Sequence, residues 1–389
     1  MVKRVYRPHF EESFFLFGAR GTGKTSLLLD WFESNQRTIL WIDLLNLQTE
    51  DDYRADLNRL NREIKEKNPE WVIIDEVQKL PKILDLVHRQ IESRKNKTKF
   101  ALTGSSARKL KRGSANLLAG RAFVNHVFPL VHEEWRAHFS LNEVLCRGSL
   151  PKLLQLKDPE RKKEFLRSYA LTYLNEEIRM EQLVRNLDPF RSFLEVSAQM
   201  NGKLINASKI AKQVGVDTVT VQNYYQILED TWMGFYLPAY HQSVKKSQRL
   251  TPKFYWFDIG VQKALERSLD MPAQEGTGYY GEVFEHFIIL EIFRLNGIYK
   301  KDFKLSYYQT HASEGEVDLV LSRGRRKPIL IEIKSNKRVD ITEVHKLARY
   351  HESIDAGESF YISQDTTRQK EGSVTCLPWD EFLKRFKDL

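Results

Sequence analysis

The segment GARGTGKT, which begins at Gly18, constrains the fold of this chain more than any other feature. It matches the phosphate-binding pattern G-x-x-x-x-G-K-[ST], with Gly18, Gly23, Lys24 and Thr25 at the fixed positions. The apolar run FFLF comes directly before it, and leucines and a tryptophan recur at helical spacing after it. The pattern therefore predicts a strand, a glycine-rich loop and a helix in that order, which is the context that a P-loop needs.

The candidate nucleotide-binding residues run from the first glycine of the motif into the helix. Glycines let backbone N–H groups wrap around phosphates, and the helix N-terminus adds its positive dipole. Lys24 can reach the β- and γ-phosphates of ATP, and the Thr25 hydroxyl can bind Mg²⁺. Arg20 has no specific role in this prediction. The candidate set is Gly18, Ala19, Arg20, Gly21, Thr22, Gly23, Lys24, Thr25 and Ser26.

The segment PEWVIIDEVQKL (69–80) contains a second constraint. Its unbroken apolar run predicts a strand that is buried on both faces, as in a parallel sheet. Asp75 lies at the C-terminal end of that strand, where ligands collect in open α/β sheets. We expect Asp75 to hold Mg²⁺ and Glu76 to polarise an attacking water. The alternative is that Asp75 only caps the following helix.

Two later segments offer further candidates for the nucleotide site. KFALTGSSARKL (99–110) predicts a buried strand that ends in hydroxyl residues, one of which could sense the γ-phosphate: Ser105, or its neighbours Thr103 and Ser106. LLAGRAFVNHVFPL (117–130) carries Arg121 before another apolar run. Arg121 is either an arginine finger or a surface arginine. A finger would act in cis or from a neighbouring subunit, and the second case predicts a homo-oligomer.

The C-terminal third places charged side chains on apparently buried strands. A helix over 278–297 is followed by strands over 303–310, 316–322 and 328–335, and Gly324 marks a hairpin turn between the last two. Because side chains alternate along a strand, Glu332 and Lys334 share a face, and Asp318 on the neighbouring strand can join them.

Burying such charges is expensive unless they are paired. A divalent cation would justify the cluster, with Asp318 and Glu332 as ligands of Mg²⁺ or Mn²⁺ and Glu285 reaching in from the helix. Lys334 would orient or activate water, and the metal ion would neutralise a scissile phosphate and generate the nucleophile. The alternative is a salt-bridged cluster without catalysis.

The middle of the chain predicts helices and a DNA-binding motif. We expect amphipathic helices over 148–190, which serve either as a lid on the nucleotide site or as core, with an apolar stripe of Phe165, Tyr169, Thr172 and Tyr173. Over 192–240, short helices that break at Gly215 predict a helix-turn-helix. The second helix would expose Thr218, Thr220, Gln222, Asn223 and Gln226, with Lys209, Lys212 and a wing over 241–253 available for phosphates. The alternative is a protein-packing module.

Taken in order, these segments resemble the prokaryotic AAA-type ATPases that carry a C-terminal domain of unknown function. The resemblance covers the whole chain, because GSLPKLL, the winged-helix-like middle and the terminal GEVFEHFIILEIF, EVD and EIK segments also match. The order of helix glutamate, strand aspartate and strand Glu-x-Lys resembles the PD-(D/E)XK nuclease fold, although no proline precedes Asp318. The resemblance implies an AAA ATPase core joined to a nuclease-like fold.

The fold class that follows is α/β in three parts. We predict an AAA-type P-loop ATPase domain with a parallel sheet at 1–135 and a helical lid with a winged-helix-like region at 136–260. A PD-(D/E)XK nuclease-like α/β domain occupies 261–389. A chain of 389 residues is long enough for two or three such cores.

Charge and cysteine content limit the partners and the compartment. The net charge of +9 suits a polyanionic partner, with nucleic acid favoured over a membrane surface and DNA favoured over RNA. The two cysteines exclude a disulfide framework or a cysteine-based zinc cluster and fit a reducing cytoplasm. The N-terminus lacks a secretory pattern, and no apolar segment approaches the roughly 20 residues that cross a bilayer.

The leading hypothesis is a cytoplasmic ATPase that couples Mg-ATP hydrolysis to DNA binding and to metal-dependent DNA cleavage. A second hypothesis is a nucleotide-dependent regulatory or scaffold protein that has a catalytically inactive nuclease fold. A third, less favoured, is an ATP-dependent protein remodeller that binds unfolded protein in preference to DNA.

Overall fold

The computed structural model describes most of the chain. The described residues are 2–8, 10–93, 97–105, 120–135, 138–173, 184, 187–243, 247–248, 250–310 and 315–389. Ser106, the start of the LLAGRA segment and positions 244–246 and 249 of the predicted wing lie outside them. No described helix has both the length and the apolar content needed to cross a bilayer.

Contacts within the chain define two compact units. The first comprises Met1–Leu130, Leu150–Lys152 and Ile227–Met233, and the second comprises the remaining segments. The three-part division into 1–135, 136–260 and 261–389 stays a prediction.

A parallel five-stranded sheet forms the centre of the first unit, with the strand order β2-β3-β4-β1-β5. Its strands are β1 (Phe14–Phe17), β2 (Ile39–Asp43), β3 (Trp71–Asp75), β4 (Lys99–Gly104) and β5 (Phe123–His126). Its helices are α1 (Lys24–Ser34), α2 (Leu47–Ala55), α3 (Arg59–Lys67) and α4 (Ile83–Glu92). The apolar runs at β1, β3 and β4 are fully buried, which confirms the prediction of a parallel sheet.

The sheet of the first unit is covered on both faces. One face packs against Tyr53 of α2 and against aliphatic side chains of α3 and α4. The other carries an aromatic cluster in which the rings of Phe10 and Trp31 stack with their centroids 3.4 Å apart. Trp31 and Phe32 also approach Trp71 of β3 edge to face. In open α/β sheets, ligands bind at the loops that follow the carboxyl ends of the strands.

The second unit begins with short helices, two of which are joined by a turn at Gly215, and an antiparallel pair of strands follows them. Its helices in this region are α5 (His132–Trp135), α6 (Leu141–Arg147), α7 (Pro159–Ser168), α8 (Leu187–Gln199), α9 (Ala207–Val214) and α10 (Thr218–Asp230), the last of which ends in the first unit. Asn206 caps α9, Gly215 ends it with φ 76°, and Asp217 accepts a hydrogen bond from the N–H of Thr220 at 2.7 Å. The end of α9 at Gly215 is the one that the sequence predicts.

The predicted amphipathic stripe over 148–190 is interrupted. Phe165 is half-buried and Tyr169 is buried, but Thr172 is exposed. The chain passes from α7 into a π-helical turn, Tyr169–Tyr173, so the spacing of an α-helix no longer applies there. The prediction that Thr172 lies on the apolar face is therefore wrong.

A mixed six-stranded sheet dominates the end of the second unit, in the order β12-β13-β11-β10-β9-β8. The strands from that antiparallel pair onward are β6 (Gly234–Leu237), β7 (Lys253–Trp256), β8 (Lys304–Gln309), β9 (Glu316–Ser322), β10 (Ile329–Ile333), β11 (Glu358–Ser363), β12 (Gln369–Glu371) and β13 (Val374–Pro378). The helices are α11 (Ile259–Leu265), α12 (Gly278–Ile298), α13 (Ile341–Ile354) and α14 (Trp379–Arg385). Strands β9 and β10 pair antiparallel, and Gly324 between them has φ 57°, so the predicted hairpin is confirmed.

Candidate functional site

The P-loop lies between β1 and α1, as the sequence predicts. A Cβ atom at Gly18 would lie 2.1 Å from the carbonyl oxygen of Val127, so this backbone path excludes any residue with a side chain at position 18. Gly23 precedes α1 in the left-handed region, with φ 93°, which favours glycine. Gly21, Thr25 and Ser26 are exposed on the loop and the first turn of α1.

Internal hydrogen bonds hold the loop in shape. The buried Lys24 ammonium donates to the carbonyl oxygens of Gly18 at 2.9 Å and Ala19 at 3.2 Å. The Thr22 hydroxyl donates to the same Ala19 carbonyl at 2.8 Å. The half-buried Arg20 lies in this loop without an assigned role. Lys24 therefore lies along the P-loop, and both are predicted to bind phosphate.

Arg4 is a loop contact that the sequence did not indicate. Its guanidinium donates to the carbonyl oxygens of Thr22 at 2.9 Å and Phe128 at 2.7 Å. It therefore ties the P-loop to the chain that follows β5. No local pattern marks Arg4, because its partners lie far away in the sequence.

The two predicted magnesium ligands lie next to each other at the carboxyl end of the sheet. The Thr25 hydroxyl donates to Oδ2 of Asp75 at 2.8 Å, and the Thr103 hydroxyl donates to Oδ1. Burial raises the pKa of Asp75, and the hydrogen bonds from Thr103 and Thr25 oppose that rise. A hydroxyl and a carboxylate are hard oxygen donors, so these residues fit Mg²⁺. Bound there, Mg²⁺ would neutralise charge on the phosphates.

Glu76 follows Asp75 in a left-handed conformation, with φ 56°, which is uncommon for a residue with a side chain. Its N–H donates to Oγ1 of Thr103 at 3.1 Å, and its carboxylate accepts from the amide of Gln78. The same amide donates to Oγ of the buried Ser105 at 3.0 Å. The structure thus brings together Glu76 and Ser105, which the sequence predicts, through Gln78, which it did not single out.

Arg121 lies apart from this group. It precedes β5, whose first residue, Phe123, pairs with Phe14 at the start of β1. The P-loop follows the other end of β1, about 10 Å away along the strand. The Arg121 guanidinium instead pairs with Glu92 at 2.6 Å on the exposed surface. The cis arginine finger therefore has no support in the geometry, whereas the role in a neighbouring subunit and the surface arginine stay open.

A second candidate site lies on β9 and β10 of the second unit. Asp318 and Glu332 are buried, and Oδ2 of Asp318 accepts the N–H of Ile333 at 2.7 Å. The Lys334 ammonium contacts Oε1 of Glu332 at 2.6 Å. Glu285 of α12 approaches the same place, since its charge interacts with that of Asp318. The sequence predicts all four of these residues together.

Two side chains of β7 complete the second site and were missed by the sequence argument. The Tyr255 hydroxyl donates to Oε1 of Glu285 at 2.7 Å. The buried Lys253 ammonium pairs with Glu316 and also interacts with the charge of Glu285. A lysine at the start of the aromatic run KFYWF is the one local signal that could have drawn attention to them.

The electrostatics of this cluster are unbalanced. If ionised, the carboxylates of Glu285, Glu316, Asp318 and Glu332 would outnumber the two ammonium groups. Burial and the nearby Asp318 raise the pKa of Glu285 to about 7 and that of Glu332 to about 8. Within the described part of the chain, however, no three acidic, histidine or cysteine side chains are arranged to hold a metal ion.

These shifts predict a pH-dependent stability without metal. An unfolded glutamate titrates near 4.5, so between that pH and about 8 the unfolded chain releases protons that the folded chain keeps. The free energy of unfolding should therefore fall as pH rises through this range, by about 1.4 kcal/mol for each unit of pKa elevation. Urea unfolding in a chelator at about pH 5.5 and about pH 8 measures the slope.

The matched variants for this prediction are Glu332→Gln and the exposed Glu352→Gln. Glu332→Gln should reduce the slope to the part that Glu285 contributes, because its amide does not titrate, and the exposed Glu352→Gln should retain the full slope. Equal slopes in all three proteins would contradict the assignment.

Family models match three consecutive parts of the chain. Residues 11–135 match the AAA domain, residues 138–274 match a domain of unknown function (DUF8612), and residues 280–382 match a second one (DUF4143). The last two matches carry no statement of activity.

The chain is also similar to curated proteins at low identity. An uncharacterized protein of Mycobacterium tuberculosis is 23% identical over 274 residues, which is 70% of this chain and 60% of that protein. An uncharacterized protein of Methanocaldococcus jannaschii is 22% identical over 418 residues, which is 96% of this chain and 85% of that protein. The chain thus spans about 60% of the length of its mycobacterial relatives.

Among solved structures, the replication initiator DnaA bound to AMPPCP and single-stranded DNA matches with a TM-score of 0.31 and 16% identity, covering 57% of this chain and 83% of that one. AMPPCP-bound DnaA from Aquifex aeolicus matches with a TM-score of 0.29 and 16% identity, covering 57% and 82%. At TM-scores this low, the assignment depends on the family model and on the site itself. Residues 11–135 are an AAA-type, nucleotide-binding P-loop ATPase domain.

Proposed function

We propose that this protein hydrolyses Mg-ATP at the P-loop, couples that hydrolysis to DNA binding, and cuts DNA at the carboxylate cluster with a divalent cation. The observation that carries the ATPase half is the contact between Thr25 and Asp75, 2.8 Å apart, beside the buried Lys24. This contact supports Thr25 and Asp75 as the magnesium ligands and Lys24 as the phosphate-binding lysine. Glu76 supplies the carboxylate that polarises water.

The nuclease half has separate support in the second unit. Asp318 and Glu332 lie on adjacent strands, Lys334 contacts Glu332, and Glu285 of α12 lies near enough for its charge to interact with that of Asp318. The excess of buried carboxylates favours binding of a divalent cation, which would displace the protons that burial retains on Glu285 and Glu332. The metal ion, once bound, would lower the pKa of water and neutralise a scissile phosphate. Lys334 would hold Glu332 and orient the water.

DNA contact is assigned to the helix-turn-helix. Helix α10 exposes Gln222, Asn223 and Gln226, whose amides can read base edges. Thr218 and Thr220 are half-buried, and the Thr220 hydroxyl donates to Asp217, so these two are less available. The antiparallel pair β6 and β7 follows α10, which is the order of a winged helix. The proposed phosphate contacts are the exposed Lys209 and Lys212 of α9.

The test of DNA binding is a pair of double substitutions. Lys209→Ala with Lys212→Ala should weaken duplex binding for every sequence and lower the dependence of log K on log salt by about 2. The exposed pair Lys157→Ala and Lys370→Ala removes the same charge elsewhere and should leave binding close to that of the unsubstituted protein. Fluorescence anisotropy at several salt concentrations gives both quantities. Equal weakening by the two double variants would show attraction by net charge alone and defeat the assignment.

A second candidate function is a nucleotide-dependent regulatory or scaffold protein with an inactive nuclease fold. Its specific support is that Asp318 and Glu332 already have protein partners, the N–H of Ile333 and the Lys334 ammonium. It predicts ATP binding without DNA cleavage in either Mg²⁺ or Mn²⁺.

A further inference from the structure

Gln78 connects Glu76, which is predicted to polarise the attacking water, to Ser105, which is predicted to sense the γ-phosphate. It lies in the short 3₁₀ turn Val77–Lys79, which directly follows Glu76, and its side chain is buried. Its Nε2 donates to Oε2 of Glu76 and to Oγ of Ser105, the latter at 3.0 Å. Both N–H groups of the Gln78 amide therefore donate hydrogen bonds, one to Glu76 just after β3 and one to Ser105 just after β4.

The other end of the amide is left unpaired. Oε1 of Gln78 is buried and accepts no hydrogen bond from any residue that the structure describes. Gly104 lies beside it, and a Cβ atom there would come within 2.7 Å of that oxygen. Rotating the amide would turn its oxygen toward the Glu76 carboxylate, so that two acceptors would meet. With the amide in this orientation, Oε1 of Gln78 stays without a hydrogen bond among the described residues, and Nε2 can donate to Glu76.

The arrangement leaves one oxygen of Glu76 available. Within the described residues, Oε2 is held by Gln78, and no hydrogen bond reaches Oε1. A carboxylate that is held through one oxygen presents the other in a fixed direction, which a base needs if it is to meet a single attacking water. The unusual backbone of Glu76, with φ 56°, adds to this restraint.

We propose that Gln78 is a positioning residue for ATP hydrolysis, whose amide is anchored on Ser105 and orients the Glu76 carboxylate toward the attacking water. The proposal rests on ATP hydrolysis at the P-loop. Gln78 is assigned no contact with nucleotide, so its effect should appear in turnover and not in binding.

The test is steady-state ATP hydrolysis by Gln78→Met, which keeps the length of the side chain and removes its donors. We expect kcat to fall roughly tenfold to a hundredfold with KM and the affinity for a fluorescent ATP analogue unchanged. Gln48→Met, an exposed glutamine of α2, is the matched control and should hydrolyse ATP normally. If Gln78→Met loses nucleotide binding or melts early, Gln78→Glu replaces it, since it keeps size and polarity but puts an acid against Glu76.

The decisive comparison is the double variant. In a Glu76→Gln background, adding Gln78→Met should cost no further turnover, because Gln78 acts only through Glu76. Additive losses, a raised KM with normal kcat, or unchanged kcat in both Gln78 variants would each overturn the proposal. Absence of ATP hydrolysis by the unsubstituted protein would instead defeat the proposed function on which it rests.

Discussion

Lys24→Ala should reduce the kcat/KM for ATP on the order of a hundredfold or more. The buried ammonium is the one positive side-chain group that the P-loop motif directs to the β- and γ-phosphates. It also donates to the carbonyl oxygens of Gly18 and Ala19, so its removal loosens the loop as well as removing charge. Release of inorganic phosphate and binding of a fluorescent ATP analogue measure the two effects.

Two controls separate charge from loop structure in the Lys24 experiment. Lys82→Ala removes an exposed lysine of the same unit and should leave hydrolysis unchanged. Lys24→Met keeps the aliphatic stem and should lose hydrolysis nearly as completely as Lys24→Ala. Normal turnover in Lys24→Met would show that the ammonium is not needed for the chemistry.

Asp318→Asn should lower metal-dependent DNA cleavage by about a hundredfold or more, because a metal ion contributes several kcal/mol of transition-state stabilisation. The substitution removes one negative charge, while the amide oxygen can still accept the N–H of Ile333. The fold should therefore persist. Nicking and linearisation of plasmid in Mg²⁺ and in Mn²⁺ give the rate.

The exposed Glu352→Gln removes the same charge from α13 and is expected to cut at the normal rate. Cleavage by Asp318→Asn at that same rate would place the nuclease activity elsewhere. If the unsubstituted protein cut no plasmid, linear duplex or single strand in either metal, the scaffold function would be the better account.

The sequence could predict those parts of the sites that depend on local pattern. The P-loop follows from glycine spacing between a strand and a helix, and Asp75 from the end of a buried run. The spacing of Asp318, Glu332 and Lys334 follows from alternation along strands and a glycine turn. In each case the residues concerned are close in sequence, or lie on strands joined by a short turn.

What the sequence could not predict depends on contacts between distant segments. Arg4 reaches the P-loop from the N-terminus, and Lys253 and Tyr255 reach Glu285 from a hairpin strand. Arg121 precedes a short strand, and only the parallel register of β5 with β1 shows that it lies at the far edge of the sheet. Gln78 is close to Glu76 in the sequence, but its proposed role depends on a 3₁₀ turn that no local pattern predicts.

ATP turnover by the purified protein, with and without DNA, tests the central claim most directly. Phosphate release would be measured alone and with plasmid, linear duplex and single-stranded DNA, beside Lys24→Ala. The proposed coupling predicts hydrolysis that rises when DNA is added and is lost in Lys24→Ala. No hydrolysis under any of these conditions, or hydrolysis that persists in Lys24→Ala, would contradict it.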